Sequence, residues 1–295
     1  MKRYVFLILA ATMLFACNKV KISSPDFNVA TAAATYKAGD TITFNVSGNP
    51  DNLVFFTGEP GYRYENRNRV SSTGGVTQLQ FATTVTQGNQ TGNLALLVST
   101  NYNGSLDSGS IRAATWTDIT SRAAFATSAA NTPSGIVNLS DFESAGVPFY
   151  IGFKYRTNTA TGTKARQWNI NSFQVNNYFP DSSIGNVAVD ISSAGFGAVS
   201  IKGDSLKWSI AATALQFPAG IANNLDEDWA ISKPIDFTKV EPDGGIAIKN
   251  SSYQLHNFTY IYAKPGNYTV TFVASNVSSS NQYSAVKQFS LTITP

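Results

Sequence analysis

Glu59, Tyr62, Arg63, Tyr64, Glu65, Arg67 and Arg69 crowd into "GEPGYRYENRNR", residues 58–69, in a chain that is only 13% charged. Tyrosine rings offer flat apolar faces to a sugar, while guanidinium and carboxylate groups bond its hydroxyls, so this segment is a candidate ligand-binding edge. The same composition suits a structural role in which arginines pair with acids over a domain junction. Trp116, Trp168, Trp208 and Trp229 supply further stacking surface. For each of them, and above all for Trp168 and Trp229, core packing is the competing reading. The ligand-binding set is Glu59, Tyr62, Arg63, Tyr64, Arg67 and Trp208.

Catalytic chemistry has less support. The single histidine, His256, lies in "YQLHNFTY", where Tyr253 and Leu255 alternate, which points to a strand-surface or structural role. No serine stands in a Gly-x-Ser-x-Gly turn. Glu59, Glu65, Asp118, Asp141, Glu143, Asp226, Glu227 and Asp228 are all available as paired carboxylates for glycoside hydrolysis, and nothing singles out two of them. The expectation is a protein without enzymatic activity and with no catalytic residue assigned. One histidine and one cysteine cannot build a zinc site. Asp226-Glu227-Asp228 supplies the hard oxygens that calcium takes, but without the spaced ligands of a calcium loop, which favours a solvated loop. No cofactor is expected beyond that optional structural calcium.

The elements that would position these residues begin after a leader. "MKRYVFLILAATMLFAC" has a basic start at Lys2 and Arg3, an apolar run from Val5 to Phe15, and small residues leading to Cys17, the only cysteine. The run is too short to span a bilayer comfortably and reads as a removable export signal. Its end, Leu14-Phe15-Ala16-Cys17, resembles the lipobox of bacterial lipoproteins. That resemblance implies lipidation at Cys17 and a membrane tie through the N-terminal lipid. Asn18-Lys19-Val20-Lys21 departs from the acidic signal associated with surface display in Bacteroidota-type lipoproteins, so the face of the outer membrane stays open. Residues 18–25 form a polar tether.

The chain has 21 Lys and Arg against 18 Asp and Glu, and two of the bases belong to the leader. A nearly neutral mature chain argues against nucleic-acid partners. Short alternating runs rich in Thr, Ser, Val, Phe and Tyr, split by Gly, Pro and Asn, predict an all-β fold. Phe27 and Val29, then Ile42, Phe44 and Val46, recur at spacing two, as in half-buried strands. "AGDTITF" (residues 38–44) resembles the opening of a PKD (polycystic kidney disease type) domain. Tyr260, Tyr262, Pro265, Gly266, Tyr268 and Val270 resemble its ending. A PKD/Ig-like β-sandwich over 26–72 and 241–295 is therefore expected to be interrupted by an inserted domain, 73–240.

That insert carries Trp116, Leu139-Ser140, "YIGFKY" (150–155), "WNINSFQV" (168–175) and "DEDWAISKPIDF" (226–237). These stretches resemble the jelly-roll β-sandwich modules of the choice-of-anchor or cleaved-adhesin kind. The combined pattern resembles a Bacteroidota-type outer-membrane lipoprotein family of unknown function, associated with SusC/SusD-like nutrient-uptake systems. What the resemblance implies is a lipid-anchored envelope protein that binds a polysaccharide or oligosaccharide. Two alternatives remain: a structural or adhesive lipoprotein contacting protein partners, and a glycoside hydrolase.

Overall fold

The computed structural model describes residues 22–157, 162–203, 206–220 and 225–295. Cys17 and the leader lie outside the described residues. The chain opens with β1 (Phe27–Ala30), β2 (Thr35–Lys37), β3 (Thr41–Gly48) and β4 (Asn52–Phe56). A second group follows: β5 (Val76–Thr86), β6 (Leu94–Ser99), α1 (Ser108–Ala113), β7 (Thr117–Asp118), β8 (Thr132–Pro133), β9 (Val137–Asn138) and β10 (Tyr150–Arg156). It continues with β11 (Gln167–Tyr178), β12 (Ile184–Ala188), α2 (Ile191–Ala194), β13 (Gly197–Lys202), β14 (Ser209–Ile210), β15 (Ala214–Phe217) and β16 (Glu227–Ile231). The chain ends in β17 (Ile246–Lys249), β18 (Asn257–Ile261), β19 (Gly266–Val277) and β20 (Gln282–Thr294). Among the described residues strand accounts for 46% and helix for 8%, which makes the fold all-β. No helix among the described residues is long and apolar enough to cross a membrane.

The strands form two compact units, one from residues up to Asn68 together with Asp243–Pro295, the other from Arg69–Pro242. In the first, β3 lies between β1 and β18, and β4 lies between β17 and β19, so strands from the two ends of the chain share both sheets. The second sheet runs β17-β4-β19-β20-β2, antiparallel except for β2 against β20. The period-two pattern explains the core: Ile42, Phe44 and Val46 point inward from β3 while their neighbours face out. Phe44 is fully buried, with the rings of Phe55 and Phe272 each centred 5.3 Å away.

The unit 69–242 has a five-stranded sheet, β13-β16-β10-β6-β7, and a seven-stranded one built on β14-β15-β11-β5-β8, with β12 on β11 and β9 on β5. Its core takes Phe153 and Tyr155 from β10, Ile170 and Phe173 from β11, and Ala230 from β16, all essentially excluded from solvent. Tyr155 stacks on Phe217 with ring centres 3.8 Å apart. On the opposite face of the five-stranded sheet, Trp229 and Trp116 pack 4.8 Å apart beside α1. The α1 N-terminus is capped by Asp107, whose Oδ1 accepts from the Ser110 N–H.

Candidate functional site

The loop after β4 holds most of the residues marked as a ligand edge, and the structure ties most of them to neighbours within the unit. Glu59 Oε2 accepts the Tyr260 hydroxyl at 2.6 Å, and the Tyr262 hydroxyl reaches the Thr57 carbonyl at 2.7 Å. Burial and then Glu59 push the Tyr260 phenol up from its ordinary range. The Arg63 N–H donates to Asp243. The Arg67 guanidinium lies 3.9 Å above the Tyr64 ring, whose own edge meets Phe56, and Arg67 Nη1 donates to the Tyr64 carbonyl. Tyr62 alone among these tyrosines is well exposed, at 43%. The loop is thus a cross-bonded turn with one free ring.

Trp208 stands apart and corrects the expectation of a sugar platform. It is 5% exposed, in the core of the unit 69–242, edge-on to Phe217 at 5.3 Å, with its indole N–H directed at the Asp228 carbonyl at 3.4 Å. A ring so far excluded from solvent has no open face to offer a ligand. Trp229 is also buried, and Trp116 is half-buried with its indole N–H on the Ile111 carbonyl. His256 is exposed just before β18.

Most of the candidate acids have structural roles, and one pair stands out. Asp141 and Arg122 form a two-pronged pair at 2.8 Å on each arm, Glu143 accepts the Thr77 N–H, and Asp118 accepts the Thr120 N–H. Glu227 sits 3.6 Å from Lys154. That pair is Asp226 and Asp228, each 1% exposed. The solvated-loop expectation for this run is wrong, because the run leads into β16 and the alternation that turns Trp229 one way turns Asp228 inward. Burial, then the adjoining Asp226 carboxyl, push the Asp228 carboxyl up to about 8, with the Ser200 hydroxyl acting in the opposite sense.

A cavity of about 260 Å³ opens in the same unit between residues 90–94, Thr120, residues 125–127, Arg166 and Trp168. Its walls combine the half-buried Phe125 with the edge of Trp168, the two rings meeting at 84° and 6.2 Å. Trp168 is fixed from behind by a chain of donors. Its indole N–H donates to Asn93 Oδ1 at 3.1 Å, Asn93 Nδ2 donates to the Tyr155 hydroxyl at 2.7 Å, and that hydroxyl donates to the Arg166 carbonyl at 3.1 Å. The rim is pinned as well: the Gln90 N–H donates to the Lys164 carbonyl and the Ala126 N–H to Thr83 Oγ1. Arg166 Nη2 reaches the Thr127 carbonyl at 3.4 Å, while Nε is buried without a partner. Among the described residues no carboxylate lines the cavity, and the charged side chain there is Arg166. A second cavity, beside β1 and β20, sets Lys287 next to a single ring, Phe289, and a third, beside β11 and α2, has Phe173 and Asp190 but no basic residue.

Of these residues, sequence reading marked only Trp168, and with core packing as the competing role. The rest come from four separated segments, and no motif joins them.

The fold and this cavity define an all-β protein of mainly antiparallel sheets with a small-molecule-sized recess beside Phe125 and Trp168. The chain belongs to the family described as "Domain of unknown function (DUF5017)", whose profile matches residues 16–196, more than half of its length. No curated protein matches it.

Proposed function

We propose that this is a lipid-anchored cell-envelope protein that binds glycan, with the cavity beside Trp168 as its sugar-binding site. The observation that carries the reading is the juxtaposition of Phe125 and Trp168 with Arg166 around a recess of about 260 Å³. The half-buried Phe125 ring offers apolar surface to a sugar, beside the edge of Trp168, which is 7% exposed, and the Arg166 guanidinium can bond hydroxyl or carboxylate oxygens. Because Asn93 is fully engaged in holding Trp168, the wall is preorganised and little ordering accompanies binding. The anchor rests on the lipobox-like end of the leader at Cys17, and service in a nutrient-uptake system beside SusC/SusD-like partners rests on the family resemblance.

A glycan array probed with the chain downstream of Cys17 tests the binding. Wild type should bind at least one polysaccharide class, and Arg166→Ala should lose at least tenfold in affinity while keeping its melting temperature. Absence of binding across plant, host and microbial glycans would turn the reading toward a protein-contacting role. The anchor is tested separately: labelled fatty acid should enter the full-length chain in cells and be absent from Cys17→Ala.

A further inference from the structure

Asp226 and Asp228 are placed by their two-residue spacing on the inward side of the β16 entry, with Glu227 on the other side held near Lys154. Both are 1% exposed, yet neither oxygen of Asp226 nor Oδ2 of Asp228 has a hydrogen-bond partner. Ionised carboxylates are not left in that condition: buried ones are paired, hydrogen-bonded or coordinated to metal.

The surroundings are rich in oxygen. Thr157 Oγ1 lies 2.6 Å from the Asp226 N, and Ser200 Oγ donates to the Gly203 carbonyl at 2.7 Å. Gly203 holds φ +80°, and a Cβ there would stand 2.9 Å from both Asp226 Oδ1 and the Leu225 carbonyl oxygen. A glycine is thus needed both for its backbone conformation and for the close approach of the carboxylate. No histidine or cysteine lies in this group, so its donors are hard oxygens.

We infer that the Asp226–Asp228 pair is a calcium site. Two carboxylates match the charge of a divalent cation, and hydroxyl and carbonyl oxygens around them suit the about six to eight oxygen ligands calcium takes. Magnesium, which holds its waters and demands octahedral geometry, fits a closed pair of this kind less well. The site is separate from the sugar cavity and does not depend on the glycan reading. Its effect is to close the end of β16 against β13 and β10, whose residues Ser200 and Tyr155 pair with Asp228.

The test uses the whole chain downstream of Cys17, stripped with EDTA. Calcium chloride should bind with one equivalent by calorimetry and raise the melting temperature by several degrees, and magnesium chloride at equal concentration should do much less. Asp226→Asn and Asp228→Asn should each weaken calcium binding by roughly a hundredfold, while Asp236→Asn in the same unit keeps it. Terbium bound to wild type should emit on excitation of Trp208, whose indole N–H points at the Asp228 carbonyl, and calcium should quench that emission. This wild-type readout stands even where an Asp variant does not fold. No heat, no melting shift and no terbium emission with stripped wild type would overturn the assignment. So would calcium binding of wild-type strength in both Asp variants.

Discussion

The indole N–H of Trp168 donates to Asn93 Oδ1 at 3.1 Å, and through that bond the aromatic wall of the cavity is fastened to the segment that forms its rim. Asn93 is 3% exposed, and its amide also serves the Tyr155 hydroxyl. Asn93→Ala strips two buried groups of their partners, at a cost of about 2–4 kcal/mol in folding stability. Urea denaturation should show this. Sugar affinity measured on the still-folded fraction should fall as well, since the ring is then free to move.

The cross-bonded loop after β4 gives an opposite expectation. Tyr62 projects to solvent and makes no side-chain hydrogen bond among those described, so Tyr62→Ala should change stability by less than about 0.5 kcal/mol. With the cavity as the sugar site, the same variant should bind glycan like wild type. A loss of binding in folded Tyr62→Ala would move the site to this loop.

Asp181 supplies a pH dependence whose sign is fixed. Burial would raise its pKa, but the Ser183 hydroxyl and N–H and then Arg69 at 2.9 Å outweigh it and bring the carboxyl down to about 2, from 3.8. A folded-state value below the unfolded one favours the ionised native form. The stabilisation is therefore complete above about pH 4 and fades as pH falls through 2. With the carboxylate about one-third exposed, the contribution is roughly 1 kcal/mol. Chemical denaturation of wild type and Asp181→Asn should differ by that amount at pH 7 and converge near pH 2.

Phe44 tests the core shared by the chain's two ends. Its ring is in contact with Phe55 from β4 and Phe272 from β19, and Phe44→Ala removes both contacts at a cost of about 3–5 kcal/mol. All four tryptophans belong to the unit 69–242. Far-ultraviolet circular dichroism, which sees β3 and β18 as well, should therefore register the loss more strongly than tryptophan fluorescence does.

Much of the fold was legible because alternation is a local signal. Ile42, Phe44 and Val46 declare a half-buried strand from their spacing alone, while the closing strands around Tyr260 to Val270 were legible through the resemblance to a PKD-type ending. The fold class followed from such runs. The site was less legible for a physical reason: Phe125, Arg166 and Asn93 come together only through the pairing of β5, β6, β10 and β11, and none sits in a pattern that marks it. Charge misled in two places. Residues 58–69 stand out by composition, yet Glu59 is held by the Tyr260 hydroxyl, Arg67 lies over the Tyr64 ring and Arg69 pairs with Asp181. Asp226 and Asp228 were read as solvated, since a run of three acids usually is, but alternation along β16 buries the first and third. Trp208 shows the converse, an aromatic whose place in the core no neighbouring residue announced.

The most direct test of the central claim is affinity electrophoresis of the chain downstream of Cys17 through gels containing individual polysaccharides, with wild type, Phe125→Ala and Arg166→Ala run side by side. If the cavity binds sugar, wild type is retarded by at least one polysaccharide, and both folded variants lose most of that retardation. Unchanged retardation in both variants, or free migration of wild type through every polysaccharide, would contradict it.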